Sequence, residues 1–271
     1  MAFSSIRLFN FRNLEDGAVD TGASSIFFVG ENGKGKSNML DAVYTLSYGG
    51  SFRPGKDRDA ARLGSDSWAL EAAGNPYGDE DAAGYASVFS VRWENGVKTI
   101  RENGKPVQDR KSLVESNPAV VFCHDDMEFS FGEPERRRFF FDQTAGLVSA
   151  GYIDLLRSYR RVLKARNAAL KDRMIDLLDV LDMQLAAYGM GLREERERVV
   201  GYFNGIFGPR YEKVSLLGRE IEVVYRPSWK EESTVEDICL RLANAREREL
   251  ALGTTMSGPH RDRYLFTDDY G

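Results

Sequence analysis

Residues 30–37 read Gly30-Glu31-Asn32-Gly33-Lys34-Gly35-Lys36-Ser37, the pattern G-x-x-x-x-G-K-[ST]. This stretch constrains the fold most, because it works only at one kind of junction. An apolar run, Ser25-Ile26-Phe27-Phe28-Val29, precedes it and reads as a buried strand. Asn38-Met39-Leu40-Asp41-Ala42-Val43-Tyr44 follows with helical spacing. Glycines 30, 33 and 35 permit backbone angles that other residues resist. Successive N–H groups of Asn32, Gly33, Lys34 and Gly35 can then curl around a phosphate. Lys36 has the reach for β/γ-phosphates, and the Ser37 hydroxyl can ligate Mg²⁺. The following helix adds the positive end of its dipole. Without those flanks the same letters would be a glycine-rich turn.

The 271 residues suffice for one large domain or two lobes. A composition 42% hydrophobic and 29% charged is that of an ordinary globular protein. No apolar run approaches the ~20 residues that span a bilayer, and Met1 to Arg7 holds no signal-peptide core. Cys123 and Cys239 lie too far apart for a metal or redox motif, and His124 and His260 are too few for the common zinc sites. A reducing, cytoplasmic setting is the expectation. The net charge of −5 argues against a dedicated nucleic-acid module but leaves room for a local basic patch.

Phe3 to Phe9 predicts a first strand, and Trp68 to Ala73 another. Val88-Phe89-Ser90-Val91-Arg92-Trp93 alternates apolar and polar, as a half-exposed antiparallel strand does. Asn95-Gly96 and Asn103-Gly104 supply two hairpin turns, so a meander of short strands is expected. Ala119 to Cys123 reads as a buried strand. From Pro134 the pattern becomes helical, with helices over 152–172 and 174–207. In the second, Met174, Leu178, Leu181, Leu185, Tyr188 and Leu192 make a seam that must pack on a neighbour, the first helix being the natural partner. Gly208-Pro209 predicts its end. Ile221 to Tyr225 is a strand, and Thr234 to Leu252 a helix with Thr234 as N-cap, Asp237 three residues on and Gly253 as stop. Arg263 to Phe266 begins a last strand, with Asp268-Asp269 as its polar turn.

Several further motifs run in order along nearly the whole chain. They are Asn10-Phe11-Arg12-Asn13, Ser51-Phe52-Arg53, Phe122-Cys123-His124-Asp125-Asp126, Glu135-Arg136-Arg137-Arg138-Phe139, Arg160 to Asn167 and Ser257-Gly258-Pro259-His260-Arg261-Asp262. With the phosphate loop they resemble the RecF family of recombination-mediator ATPases, relatives of the SMC heads. The resemblance implies an α/β P-loop ABC-type ATPase head with an inserted helical lobe. Residues 1–133 would form lobe I, 134–252 helical lobe II, and 253–271 the start of a return into lobe I. It further implies ATP and Mg²⁺ as ligands, an ATP-dependent homodimer on duplex DNA, RecR and RecO as partners, and a role in DNA repair and replication-fork maintenance. The family's signature helix and Walker B strand follow Gly258-Pro259-His260 and have no match here, so the resemblance implies a C-terminally incomplete head. As given, the chain is expected to bind ATP and hydrolyse little. Two other readings stand beside this one: another ABC-type head, SMC-like or defence-associated, and a non-catalytic, nucleotide-responsive scaffold for DNA or RecR.

The resemblance also marks individual residues. Arg12 sits where such heads contact a nucleotide, or is a surface arginine. Asn38 contacts the α-phosphate or caps its helix. Asp125 falls at the Q-loop position, as a water-mediated Mg²⁺ ligand or a helix cap. Arg157, Arg160, Arg161, Lys164 and Lys171 recur at helical spacing and make one basic face, for a DNA backbone or for solvent. Arg136, Arg137, Arg138, Arg166 and Arg173 lie close by in sequence.

Overall fold

The computed structural model describes residues 3–74, 87–109, 111–122, 129, 132–149, 151–216, 219–230 and 234–268. They fall into two units, Met1–Phe122 and Cys123–Gly271.

In the first unit the alternating runs pair. β1 (Ser5–Phe9), β2 (Gly17–Asp20), β3 (Ser67–Gly74), β4 (Ser87–Glu94), β5 (Val97–Glu102) and β6 (Lys105–Pro106) form one antiparallel sheet in the order β2-β1-β3-β4-β5-β6. Both Asn-Gly turns adopt the left-handed pair that two-residue hairpins need: Asn95 and Gly96 have φ of 50° and 82°, Asn103 and Gly104 of 51° and 76°. Because strand side chains alternate, Ile6, Leu8, Trp68, Leu70, Phe89 and Val91 share one buried face. Helix α1 (Lys36–Tyr48) joins that core through Met39, Ala42 and Leu46, and α2 (Lys111–Ser116) through Leu113. Burying each large side chain contributes about 1.5–3 kcal/mol.

Two expected strands do not form. Ser25–Val29 and Ala119–Phe122 run without strand pairing. In each run alternate residues turn outward: Phe27 and Val29 are 86% and 93% exposed, and Val120 and Phe122 are both 82% exposed. Apolar content was right, but a strand also needs a neighbour to take its N–H and C=O groups. Neither run has one among the described residues. Cys123 lies outside them.

The second unit is built on α3 (Pro134–Val148), α4 (Tyr152–Lys171), α5 (Leu178–Ser215) and α6 (Val235–Leu252), with a hairpin of β7 (Ile221–Arg226) and β8 (Arg263–Asp268). The expected seam packs α5 on α4: Leu178, Leu185 and Leu192 are fully buried, Leu181 partly. Met174 precedes the helix and stays half exposed, and Tyr188 lies at the rim. Helix α6 starts where its capping box says: Asp237 N donates to Thr234 Oγ1 and Thr234 N to Asp237 Oδ2, each at 3.1 Å. Gly253, at φ 65°, ends it.

Two expectations fail here for identifiable reasons. Pro209 does not end α5, which continues to Ser215. An aromatic ladder at four-residue spacing, Phe203–Phe207–Tyr211, carries the helix through, with ring centroids 4.9 and 5.7 Å apart. Its packing offsets part of the lost hydrogen bond and the ring clash that proline imposes. The first unit ends at Phe122, and residues 253–268 lie in the second, where β8 pairs along β7. Asp268 closes β8 instead of forming a turn and pairs with Arg219 at 3.3 Å; Asp269 lies outside the described residues.

The edges of the small sheet are occupied by side chains. Asn204 grips β7 in both directions: its Nδ2 donates to Val223 O and its Oδ1 accepts from Val223 N, each at 2.9 Å. Arg137 and Arg138 donate to the carbonyls of Tyr264 and Asp262, each at 3.0 Å. Such blocked edges do not recruit further strands. Among the described residues no helix is long and apolar enough to cross a membrane.

Candidate functional site

The phosphate-loop motif leads into α1 as expected, although the run before it, 25–29, does not form a strand. Gly33 and Gly35 have φ of 82° and 90°, and Gly35 is the N-cap. A Cβ on Gly35 would lie 2.7 Å from Leu14 Cδ2 and 2.9 Å from Asn13 Oδ1, so both space and angle require glycine there. Asn38 N and Met39 N donate to Gly35 O. The backbone N–H groups of Lys36 and Ser37 have no partner among the described residues, as befits a helix start that offers donors to an anion. No acidic residue in the first turn competes for them. Lys36 Nζ donates to Gly30 O at 2.7 Å and Glu31 O at 2.8 Å, curling back across the loop. Ser37 is exposed. These groups fit a nucleotide's phosphates: donors at a helix N-terminus, one mobile cation and one free hydroxyl.

Behind the loop, residues scattered in sequence close into one hydrogen-bonded arc. Asp41, fully buried in α1, accepts from Arg12 Nε at 3.0 Å and Nη2 at 2.8 Å, and from Ser51 Oγ at 2.7 Å. Arg12 Nη2 also reaches Ser51 Oγ at 3.2 Å, and Arg12 Nη1 reaches Asp59 O at 3.2 Å. Four of the five guanidinium hydrogens are thereby committed. Arg12 is thus a brace on α1 more than a free arm. Ser51 Oγ accepts from Arg53 N, and Arg53 Nη1 donates to Asn38 Oδ1 at 2.8 Å. Asn38 Nδ2 donates to Asn13 Oδ1 at 2.6 Å, and Asn13 Nδ2 to Gly33 O at 2.7 Å. The arc therefore ends on the phosphate loop itself. Asn38 serves as a strut within it.

Asn13, Asp41, Ser51 and Arg53 received no role from the sequence. Asp41 lies 29 positions from Arg12 and 10 from Ser51, a spacing with no local signature. Arg53 brings a second cation beside the loop, its guanidinium 5.6 Å above the Phe52 ring. Asp125, with His124 and Asp126, lies outside the described residues. Among those described, no group of three or more His, Cys, Asp or Glu is arranged for a metal ion.

In the helical unit, Arg157, Arg160, Arg161, Lys164 and Lys171 are all exposed on α4. At 3.6 residues per turn they fall within an arc of about 100°. Arg157 pairs with Asp154 at 3.6 Å and Arg160 with Asp142 at 3.4 Å. Arg161, Lys164 and Lys171 have no ion-pair partner among the described residues. Arg166, near them in sequence, points the other way and is wholly buried. It donates to Asp182 at 2.6 Å and Thr255 Oγ1 at 2.8 Å. Glu249 Oε2 lies 2.7 Å from Arg166 Nη1 but off the N–H direction, so it makes a charge contact and no hydrogen bond.

The Gly258-Pro259-His260 motif is a second knot. Buried Arg196 donates to Asp142 Oδ1, Asp262 Oδ2 and Pro259 O at 2.7–2.8 Å. Tyr225 donates to Asp262 as well, and Tyr152 to Asp142. His260 Nε2–H donates to Thr255 O at 3.1 Å, so its Nδ1 accepts from Tyr159 at 2.8 Å. Burial lowers the imidazole pKa to about 4, which keeps the ring neutral at pH 7. This motif therefore ties α4 and α5 to β7.

No family model matches the chain. It is 38% identical over 260 residues to the DNA replication and repair protein RecF of Treponema pallidum (strain Nichols), covering 95% of this chain and 71% of that one. The RecF of Leptospira interrogans serogroup Icterohaemorrhagiae serovar copenhageni is 30% identical over 273 residues, covering 99% and 73%. A solved structure of the recombination mediator protein RecF-ATP in the RecFOR pathway superposes with a TM-score of 0.85 at 25% identity, covering 99% of this chain and 73% of that one. The chain belongs to the RecF family of DNA replication and repair proteins.

Proposed function

We propose that this chain binds ATP–Mg²⁺ through its phosphate loop and duplex DNA through the basic arc of α4, in recombinational DNA repair and replication-fork maintenance. The observation that carries the reading is the open, donor-rich start of α1, with Lys36 and Ser37 in its first turn and a braced loop before it. A relative is described with ATP, and others are named as replication and repair proteins, which supports the same ligand and role here.

The backbone N–H groups of Gly33 to Ser37 would hold the phosphates, with Gly30 and Asn32 shaping the loop. Lys36 would leave the Gly30 and Glu31 carbonyls for a β/γ-oxygen, exchanging two neutral acceptors for a charged one. Ser37 Oγ would supply the protein's ligand to Mg²⁺, which neutralises phosphate charge when bound. Arg12, Asn13, Asp41, Ser51 and Asn38 act by position, fixing the loop's curvature before ligand arrives. Arg53 stands close enough to the loop to follow a change at the phosphates, making loop 51–53 the natural reporter of nucleotide state. The carboxylate of this arc, Asp41, is committed to Arg12 and Ser51, so the reading is binding with little turnover.

On α4, Arg157, Arg160, Arg161, Lys164 and Lys171 meet a phosphate backbone by charge alone, which gives salt-sensitive and weakly sequence-selective binding. Nucleotide-dependent pairing with a second copy, and work with RecR and RecO, belong to the same reading and rest on family membership. The DNA arm is tested by duplex affinity across a salt series. An Arg161→Ala/Lys164→Ala variant should lose affinity and flatten the log–log salt slope by about 2, near 0.9 for each phosphate contact removed. An unchanged slope would remove α4 from the DNA interface.

A further inference from the structure

Helix α5 carries a second apolar stripe that its neighbours leave open. Its inner seam, Leu178, Leu185 and Leu192, is fully buried. At about 100° per residue, Val180, Met183 and Ala187 fall within about 60° of one another and face about 160° away from that seam. Val180 and Met183 are 59% and 62% exposed, and Ala187 is exposed beside them. Met174, Ile175 and Leu177, in the turn just before the helix, are each half exposed as well. A helix with apolar residues on both sides is normally covered on both. An exposed apolar patch with a polar rim marks an interaction surface.

Each end of the stripe offers one uncommitted charge. Arg173 stands at the start, and Glu194 lies at the far end, on the same side of α5 as Met183. Both are exposed, and neither has an ion-pair partner among the described residues. Arg198, four residues beyond Glu194, is taken by Glu195 at 2.6 Å. Consider a second copy laid antiparallel along this face, with a two-fold axis beside Met183 and Gln184. Val180 then lies opposite Ala187, Leu177 opposite Met190, and Arg173 opposite Glu194. Asp176 comes opposite Gly191, which brings no like charge. The two-fold repeats each of these contacts. The stripe is complementary to itself in both apolar pattern and charge, and that names the occupant.

We propose that the outer face of α5 packs antiparallel against the same face of a second copy, as a weak dimer contact that needs no nucleotide. From Leu177 to Met190 the contact runs about 20 Å along one helix width. That is well below the roughly 800 Å² a side of stable complexes, so the association is weak and concentration-dependent. It uses neither the phosphate loop nor the basic arc of α4.

Sedimentation equilibrium of the whole chain, without nucleotide, tests this. The wild type should show a reversible monomer–dimer equilibrium with a dissociation constant on the order of 0.1 mM. Val180→Lys puts a charge into the contact twice and should weaken it by about tenfold or more. Arg173→Glu sets glutamate against glutamate at both ends and should weaken it roughly fivefold. The swap Arg173→Glu/Glu194→Arg should restore wild-type association, which a merely structural role for either residue would not do. All these positions are exposed, so the melts should be unaltered; if Val180→Lys melts early, the swap comparison decides alone. Lys36→Ala should dimerise like the wild type. A monomer throughout the concentration series, association indifferent to Val180→Lys and Arg173→Glu, or a swap no better than its single variants overturns the proposal. Loss of the dimer in Lys36→Ala would assign the contact to the phosphate loop and overturn it equally.

Discussion

Replacing Arg196 with methionine tests how much of the helical unit depends on one buried cation. Arg196 is 3% exposed and serves Asp142, Asp262 and the Pro259 carbonyl. Methionine keeps the length and packing of the stem but strands two buried carboxylates. Asp142 would keep Tyr152, and Asp262 would keep Tyr225 and the Ser228 N–H, so neither loses every hydrogen bond. Asp262 nevertheless loses its paired cation, and Asp142 keeps only the exposed Arg160 at 3.4 Å. Breaking a buried pair by removing one partner costs about 3–5 kcal/mol, about a fifth or more of a typical domain's 5–15 kcal/mol. The sign of the pH dependence is fixed too. Burial already raises the Asp262 carboxyl pKa while Arg196 pulls it down. Without Arg196 the folded pKa rises further above the unfolded value, so the variant's deficit is largest at neutral pH and shrinks as pH falls and the carboxyl protonates. Urea unfolding of wild type and variant at pH 7 and pH 5 measures both effects. A loss below about 1 kcal/mol at pH 7, or a deficit that grows on acidification, would refute the account of this knot.

Three more outcomes follow. Gly189→Ala should destabilise by about 1–3 kcal/mol, because its Cβ would sit 2.3 Å from Trp229 Cζ3; Gly201→Ala in the same helix meets open space and should be neutral or stabilising in the same melts. His260, whose folded pKa is depressed to about 4, contributes stability that is fully present above pH 6.5 and lost as pH falls toward 4. That loss is of order 3 kcal/mol, and His260→Gln should flatten this part of the stability–pH curve. Asp41→Asn should weaken nucleotide binding without touching the ligand, since it releases Arg12 and Ser51 from the loop's brace; unchanged affinity by calorimetry would mean the arc does not shape the loop.

Local chemistry was legible in the sequence wherever one short segment decides the outcome. The Asn-Gly turns, the Thr234–Asp237 capping box and the Gly35 junction each follow from backbone angles and nearest neighbours. What could not be read depends on partners far along the chain. Ser25–Val29 has the letters of a strand, yet pairing is decided by a neighbouring strand, and none runs beside it among the described residues. Pro209 reads as a stop until the Phe203–Phe207–Tyr211 ladder is seen. Arg166 looks like part of a basic run, but its helical phase turns it inward to Asp182 and Glu249, which lie 16 and 83 residues away (182−166 and 249−166). Arg12 bonds Asp41 across 29 positions and braces α1, and the Arg53–Asn38 contact likewise had no signal in spacing.

The central claim is that the Gly30–Ser37 loop is a nucleotide site. Isothermal calorimetry of ATP–Mg²⁺ binding to this chain and to Lys36→Ala, with phosphate release followed in parallel, tests it most directly. The account predicts saturable binding by the wild type, its loss in the variant and little release by either. Equal binding by both, or binding by neither, would contradict it. Brisk release by the wild type would reveal a catalytic carboxylate that the arc around Asp41 does not provide.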